Sequence, residues 1–384
     1  MIINKNKILK ALKKVNSFVS NNTFNPILSN ILVRIYPLSQ EIEISATDLD
    51  NYYIGRFAAM DINDEDKCEF MIDNKIFVGV LESLKNTDIK TEIDIEAWQI
   101  TFSADGVEIT LPIINGDDFP AVQYNRTKEK ALFSGDKTLM DAFHAVKYCV
   151  AKDIIKPAFT GIYINIQEKL KRFTVAATDG KRLAQAVCET NLFLAGDYEY
   201  IVRPDFLAEW AACLEEHIKE NSANALVLLT DETYICFHNN HEDFFSRLIE
   251  GKYPDASQVI PKAEARVTIQ TDRKALIENL DSLKFVAKDN SYSIACNIAN
   301  RKLILEANSK GRGSKVRIDS KATTEGELKT NFNMLFLRDT LSALNGNKVK
   351  IELTTGQAPL KIYEKNDGVE FNHVLMPVRP GYVE

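Results

Sequence analysis

His238 and His241 are the first residues in this chain whose type and spacing suggest chemistry, because imidazoles in that relation can share a metal ion. They stand in His-Asn-Asn-His, and the pair, read without a cysteine partner, predicts a solvated turn. Gly311-Arg312-Gly313-Ser314-Lys315 has the glycines and cation of a phosphate cradle. It lacks the G-x-x-x-x-G-K-[ST] spacing, so a basic turn is expected. The acidic run from Asp61 to Glu69 lacks the glycine and ligand order of a calcium loop and reads as a charged loop. Nucleophile-elbow, zinc-protease and kinase signatures are missing. No catalytic residue, metal ligand or cofactor is assigned, and a binding scaffold is favoured over an enzyme with an unrecognised site.

The scaffold is large enough for several cores. A chain of 384 residues, 45% hydrophobic and 26% charged, has the composition of two or three globular domains. Its formal charge of -7 argues against coating nucleic acid with the whole surface but leaves room for one basic face. Cys68, Cys149, Cys188, Cys213, Cys236 and Cys296 form no C-x-x-C pair, which predicts reduced, mostly buried thiols and a cytoplasmic protein. The start Met1-Ile2-Ile3-Asn4-Lys5 lacks the apolar stretch of a signal peptide, and no apolar run has the length of a membrane span.

The elements repeat three times. Ile8, Phe77 and Ala46-Thr47-Asp48 have counterparts about 130 residues on at Leu139, Phe206 and Ala177-Thr178-Asp179, and again at Leu276, Phe336 and Ala307-Asn308. Each third opens with an amphipathic helix: Ile8, Leu12, Val15 and Val19; Leu139, Phe143, Val146 and Val150; Leu276, Leu280, Leu283 and Ala287. Asp136 and Asp272 are candidate N-caps. Alternating strands follow, then a second helix at Ile76 to Lys85, Pro204 to His217 and Met334 to Leu344, then more strands. Asp105-Gly106 predicts a hairpin turn. The fold class is α+β: three repeated domains, each two helices on mainly antiparallel sheets, over residues 1–127, 128–262 and 263–384.

Positive charge gathers on the opening helices. Lys7, Lys10, Lys13 and Lys14 lie opposite the first apolar face with no acid among them, and Lys137, Lys152 and Lys274 belong to the later copies. A surface of this kind can hold phosphates without reading sequence.

Ala176-Ala177-Thr178-Asp179-Gly180-Lys181-Arg182-Leu183-Ala184 resembles the A-T-D-G-x-R-L-A segment of the bacterial sliding clamp family, the DNA polymerase III beta subunits. The segment from Phe245 to Asp255 is similar to that family's S-R-L-I-x-G-x-[FY]-P-D. The run from Asn25 to Asn30, Asp118-Phe119-Pro120, Phe332-Asn333 and Leu375-Met376-Pro377-Val378-Arg379 match in order, so the resemblance spans the chain.

The resemblance implies a non-catalytic processivity factor, a head-to-tail homodimer whose six domains close a ring around duplex DNA. It implies as partners the replicative polymerase's catalytic subunit, an ATP-dependent clamp loader, and repair polymerases or other clamp-motif proteins. An accessory, phage-borne or resistance-linked clamp would share that fold. Partner peptides are expected in a cleft between the second and third domains. By motif match it is walled by Phe159, Thr178, Gly180, Arg182, Leu183, Pro254, Val259, Asn333, Phe336, Val374, Met376, Pro377, Val378 and Arg379, with arginine able to hold peptide oxygens. Ile109 and Leu111 of one protomer are expected to meet Phe285 and Val286 of the next. The chain departs from the family in running past Arg379 into Pro380-Gly381-Tyr382-Val383-Glu384, a tail beside the expected cleft, and in an uncharged tip at Asn21-Asn22-Thr23.

Overall fold

The Thr-Asp pairs that mark the repeat are hairpin staples. Thr47 Oγ1 donates to Asn51 O at 2.8 Å and accepts from Leu49 N–H, while Asp48 Oδ1 accepts from the amides of Asp50 and Asn51. Thr178-Asp179 repeats these bonds around Arg182, and Thr230-Asp231 repeats them around Tyr234. Each turn puts its third residue at positive φ: Leu49 at 80°, Gly180 at 84° and Glu232 at 77°. Two polar side chains that satisfy four backbone groups make that conformation tolerable even without glycine.

This computed structural model describes residues 1–378 except 17, 20–24, 135–136, 154, 190–195, 220–226, 240, 310–314, 321 and 367. The expected cap Asp136, the basic turn at 311–314, the tip at 21–23 and the segment 379–384, including Arg379, lie outside the described residues.

Among the described residues there are six α-helices: α1 (Lys5–Val15), α2 (Asn74–Ser83), α3 (Lys137–Val146), α4 (Pro204–Lys219), α5 (Arg273–Ala287) and α6 (Met334–Ala343). Asp272 caps α5 by accepting from Ala275 N–H at 2.8 Å, as its position predicts. Asn4, Asp73 and Asn333 cap α1, α2 and α6 in the same way. The Asp73 cap starts α2 two residues before the expected Ile76. Val19 and Val150 fall beyond their helices. After Val15 the buried place passes to Phe18, and after Val146 a 3-10 turn at Lys147–Cys149 buries Cys149 instead. The α5 stripe of Leu276, Leu280, Leu283 and Ala287 is buried throughout.

The chain forms two compact units, Met1–Ser134 with Asp205–Leu248, and Gly135–Pro204 with Ile249–Glu384. The middle repeat therefore contributes to both. Among the described residues each unit holds a four-stranded and a nine-stranded sheet, and the strand pairings are antiparallel. In the first unit the nine-stranded sheet joins Glu242–Arg247 to Asn51–Ala58, with Phe244 opposite Tyr53. In the second it joins Arg182–Glu189 to Val369–Leu375, with Leu183 opposite Val374. Main-chain ladders thus fuse parts of different repeats.

In the first unit Phe244 gathers Phe18, Tyr53 and Phe237 at 5.7, 5.0 and 4.5 Å between ring centroids, and Phe206 packs on Phe237 at 5.3 Å. The second unit's core packs α5 and α6 residues such as Leu280, Leu283, Leu337 and Leu341 against Ile294, Leu305 and Ile351. No cysteine among the described residues forms a disulfide. Burial pushes the thiols of Cys149, Cys213, Cys236 and Cys296 up to about 12, so without a metal they stay protonated at neutral pH.

Candidate functional site

The Thr178 staple sets the position of Arg182, which opens the strand Arg182–Glu189 in the second unit. Its guanidinium donates from Nε to Asp179 Oδ2, from Nη1 to Asp339 Oδ2 and from Nη2 to Tyr148 O, each at 2.9 Å. It also lies 4.4 Å from the Phe336 ring centroid and 5.1 Å from that of Tyr148. Arg182 thus has a positioning role within the fold that the motif match did not show. Three of its five N–H donors are engaged within the fold, and it ties the staple to α6.

Leu183 and Val374 are paired core residues, 3% and 2% exposed, so they back the wall and do not line an open surface. Asn333 is committed as the α6 cap, with Oδ1 accepting from Leu335 and Phe336 amides and Nδ2 donating to Ser291 O. Met376 N–H donates to Lys181 O at 3.0 Å and Val378 N–H to Asn331 O at 2.8 Å, which lays Met376-Pro377-Val378 beside the staple. Phe159 sits near Gly180, where an added Cβ would lie 3.7 Å from its ring, and it packs on Tyr253 at 6.2 Å. The exposed apolar groups of the set are Met376 and Val259, each 42% exposed, and Pro254, with Phe159, Phe336, Pro377 and Val378 half-buried. Pro254 is exposed beside the buried Tyr253.

Behind this surface runs a polar chain that sequence reasoning missed. Tyr148 Oη lies 2.9 Å from His373 Nδ1 and donates to Thr340 Oγ1 at 3.0 Å, and Thr340 donates to Phe336 O. Burial holds the His373 imidazole down to about 4, below its ordinary 6.5. A folded value below the unfolded one adds stability above pH 6.5 that is lost as pH falls toward 4. Urea unfolding should show about 2 kcal/mol lost from this group between pH 6.5 and 5, and His373→Gln should remove that loss. An equal pH dependence in the variant would refute it.

The lysines expected on a nucleic-acid face separate into two kinds. Lys7, Lys10 and Lys13 on α1 are exposed, as are Lys137, Lys152 and Lys274. Acids from other elements reach three of the five α1 lysines: Lys10 pairs with Glu216 and Lys13 with Glu82, both at the surface where such pairs contribute little. Lys14 is different. Its Nζ donates to Glu242 Oε2 at 2.7 Å with both side chains largely buried, so it turns into the fold instead of outward to DNA.

Ile109 and Leu111 are half-buried on Val107–Pro112, the edge strand of the first unit's four-stranded sheet. Phe285 on α5 is 82% exposed, whereas Val286 packs partly against its own core. The second unit's four-stranded sheet ends in the edge strand Lys315–Ser320.

Three like α+β domains in tandem, with basic helices and open sheet edges, define a clamp-type architecture. Profiles of the DNA polymerase III beta subunit match in sequence: its N-terminal domain at residues 1–123, its central domain at 135–255 and its C-terminal domain at 257–379. Among curated relatives, the beta sliding clamp of Synechocystis sp. is 25% identical over 99% of both chains, and that of Pseudomonas aeruginosa is 22% identical over 98% of this chain and 99% of that one. The crystal structure of DNA polymerase III beta chain from Streptococcus pneumoniae superposes with a TM-score of 0.88 at 22% identity, covering 98% of this chain and 99% of that one. The Pseudomonas aeruginosa subunit superposes at 0.86 with 21% identity over 99% of both. The chain belongs to the DNA polymerase III beta subunit family.

Proposed function

We propose that this chain is a replicative sliding clamp: a non-catalytic processivity factor that encircles duplex DNA and tethers the replicative polymerase. The observation that carries the reading is the run of three clamp-family domains along the whole chain. The open edges at Val107–Pro112 and Lys315–Ser320 support a head-to-tail homodimer, since each presents unpaired backbone to another strand. Ile109 and Leu111 of one protomer then meet Phe285 and Val286 of the next. A closed ring keeps DNA by topology, so Lys7, Lys10, Lys13, Lys137, Lys152 and Lys274 need only weak, sequence-independent phosphate contacts. A ring without ends needs a separate ATP-dependent loader to open it.

Polymerase, repair-polymerase and other clamp-motif peptides dock at the surface of Met376, Pro377, Val378, Val259, Phe159 and Phe336. Methionine there adapts to varied apolar anchors. Loading onto nicked circular DNA by a bacterial clamp loader and ATP tests the ring. The protein should co-elute with the circle and be lost within minutes of linearisation. Equal retention on linear DNA would refute topological binding.

A further inference from the structure

We infer that Cys236, His238 and Glu129 form a site for a divalent transition metal of the zinc class, built on the first unit. The sequence reading of His238 looked forward to His241 and passed over Cys236, two residues back. On a strand, residues two apart share a face, and the strand Tyr234–His238 presents Cys236 and His238 together. His241 lies beyond it, exposed. The third ligand comes from Glu129, which follows the turn Arg126–Lys128 in the connection between the first two repeats.

The geometry suits zinc. His238 Nε2 lies 3.6 Å from Cys236 Sγ and 3.8 Å from Glu129 Oε2, and one ligand atom from each residue falls within 4.8 Å of the others. Tetrahedral zinc with ordinary bond lengths separates sulfur from nitrogen by about 3.6 Å and nitrogen from oxygen by about 3.4 Å. Small side-chain rotations close the difference.

The hydrogen bonding also leaves room for a cation. Asp243 Oδ1 lies 2.7 Å from His238 Nδ1. With the proton on Nδ1, the Nε2 lone pair faces Cys236 and Glu129, the arrangement in which a carboxylate orients a metal-bound imidazole. Arg56 and Arg126 pair with the other Asp243 oxygen and balance its charge. Among the described residues Glu129 Oε2 and Tyr124 Oη are buried without a close hydrogen bond, and the Tyr124 hydroxyl interacts with both Glu129 and Cys236. A buried carboxylate oxygen without a donor is costly unless a cation completes it. Without metal, the Cys236 thiol can donate to Nε2 and the Tyr124 hydroxyl is the donor at hand for Glu129. Zinc replaces the thiol proton, which leaves to solvent, and the thiolate and Glu129 carboxylate neutralise its charge. His238 and Glu129 are about one-quarter exposed, which gives the ion an entry path and leaves a fourth position for water. Metal there would fasten the connection after the first repeat to the sheet strand Tyr234–His238.

The test uses the full-length protein, stripped with a chelator, dialysed against zinc chloride and desalted. One zinc per chain is expected. Cobalt chloride should give thiolate-to-cobalt charge-transfer absorption that Cys236→Ser abolishes. His238→Gln and Glu129→Gln should each weaken zinc binding at least tenfold in a chelator competition, whereas His241→Gln should leave it unchanged. Substoichiometric zinc in the folded wild-type protein would overturn the site. So would cobalt spectra of Cys236→Ser that match the wild type, because the metal would then sit at another cysteine.

Discussion

Lys14→Met is expected to destabilise the protein by about 3 to 5 kcal/mol, because it strands a buried carboxylate. Glu242 receives hydrogen bonds from Lys14 Nζ at 2.7 Å, Tyr53 Oη at 2.9 Å and Asn239 Nδ2 at 2.8 Å. Burial pushes the Glu242 carboxyl up, but those bonds outweigh it and hold the group below its usual range. Burial pulls the Lys14 ammonium down, yet the Glu242 and Glu216 carboxylates outweigh it and hold the group above its usual range.

The signs fix the pH window. Glu242 contributes above its unfolded pKa, near 4.5, and the contribution is lost as pH falls through its lower folded value. Lys14 contributes below its unfolded pKa, near 10.5, and the contribution is lost as pH rises through its higher folded value. The full cost of Lys14→Met should therefore appear near pH 7 and shrink below pH 5, as Glu242 protonates. Lys14→Met with Glu242→Gln should cost less than Lys14→Met alone. Lys7→Ala should instead leave stability within about 0.5 kcal/mol and reduce the salt dependence of DNA binding. Chemical denaturation at pH 7 decides the matter: a Lys14→Met loss under 1 kcal/mol would show that the pair does not bear on the core.

Arg182→Met should cost about 3 kcal/mol and also abolish partner-peptide binding, whereas Met376→Ala should cost binding alone. The arginine is 10% exposed and makes three directed bonds, so its loss frees Asp179, Asp339 and the Tyr148 carbonyl together. It also lets go of Phe336, a half-buried wall of the proposed peptide surface. Met376 is 42% exposed, and its removal leaves no comparable cavity. Thermal melts with fluorescence anisotropy of a polymerase-derived peptide separate the two. Wild-type stability in Arg182→Met would remove its positioning role. Unchanged affinity in Met376→Ala would remove the methionine from the cleft.

Periodicity and caps carried most of the fold, because they act over a few residues. The α5 stripe and the Asp272 cap were readable for that reason, as was Asp105-Gly106, with both residues at positive φ. What escaped depends on distant partners. Lys14 looked like part of a basic face because Glu242, 228 positions away, cannot be placed by helical spacing. Arg182 looked available because Asp339 lies 157 positions on. Cys236 was within reach of local reasoning: a strand-period reading would have coupled it to His238, but Glu129 would still have been invisible. The Thr-Asp repeat was seen as a pattern before its cause was known, and its third copy, Ala307-Asn308, lacks the hydroxyl that makes the staple.

The ladders between Glu242–Arg247 and Asn51–Ala58, and between Arg182–Glu189 and Val369–Leu375, have a consequence for how such a chain can change over time. A seam of peptide groups is nearly blind to the identity of its side chains, provided the inward and outward alternation survives. Mutations can therefore accumulate along these joins without moving the parts they connect. Relatives that share only about a quarter of their residues can inherit the same geometry, because the dimensions are kept by the main chain and the side chains are left to diverge.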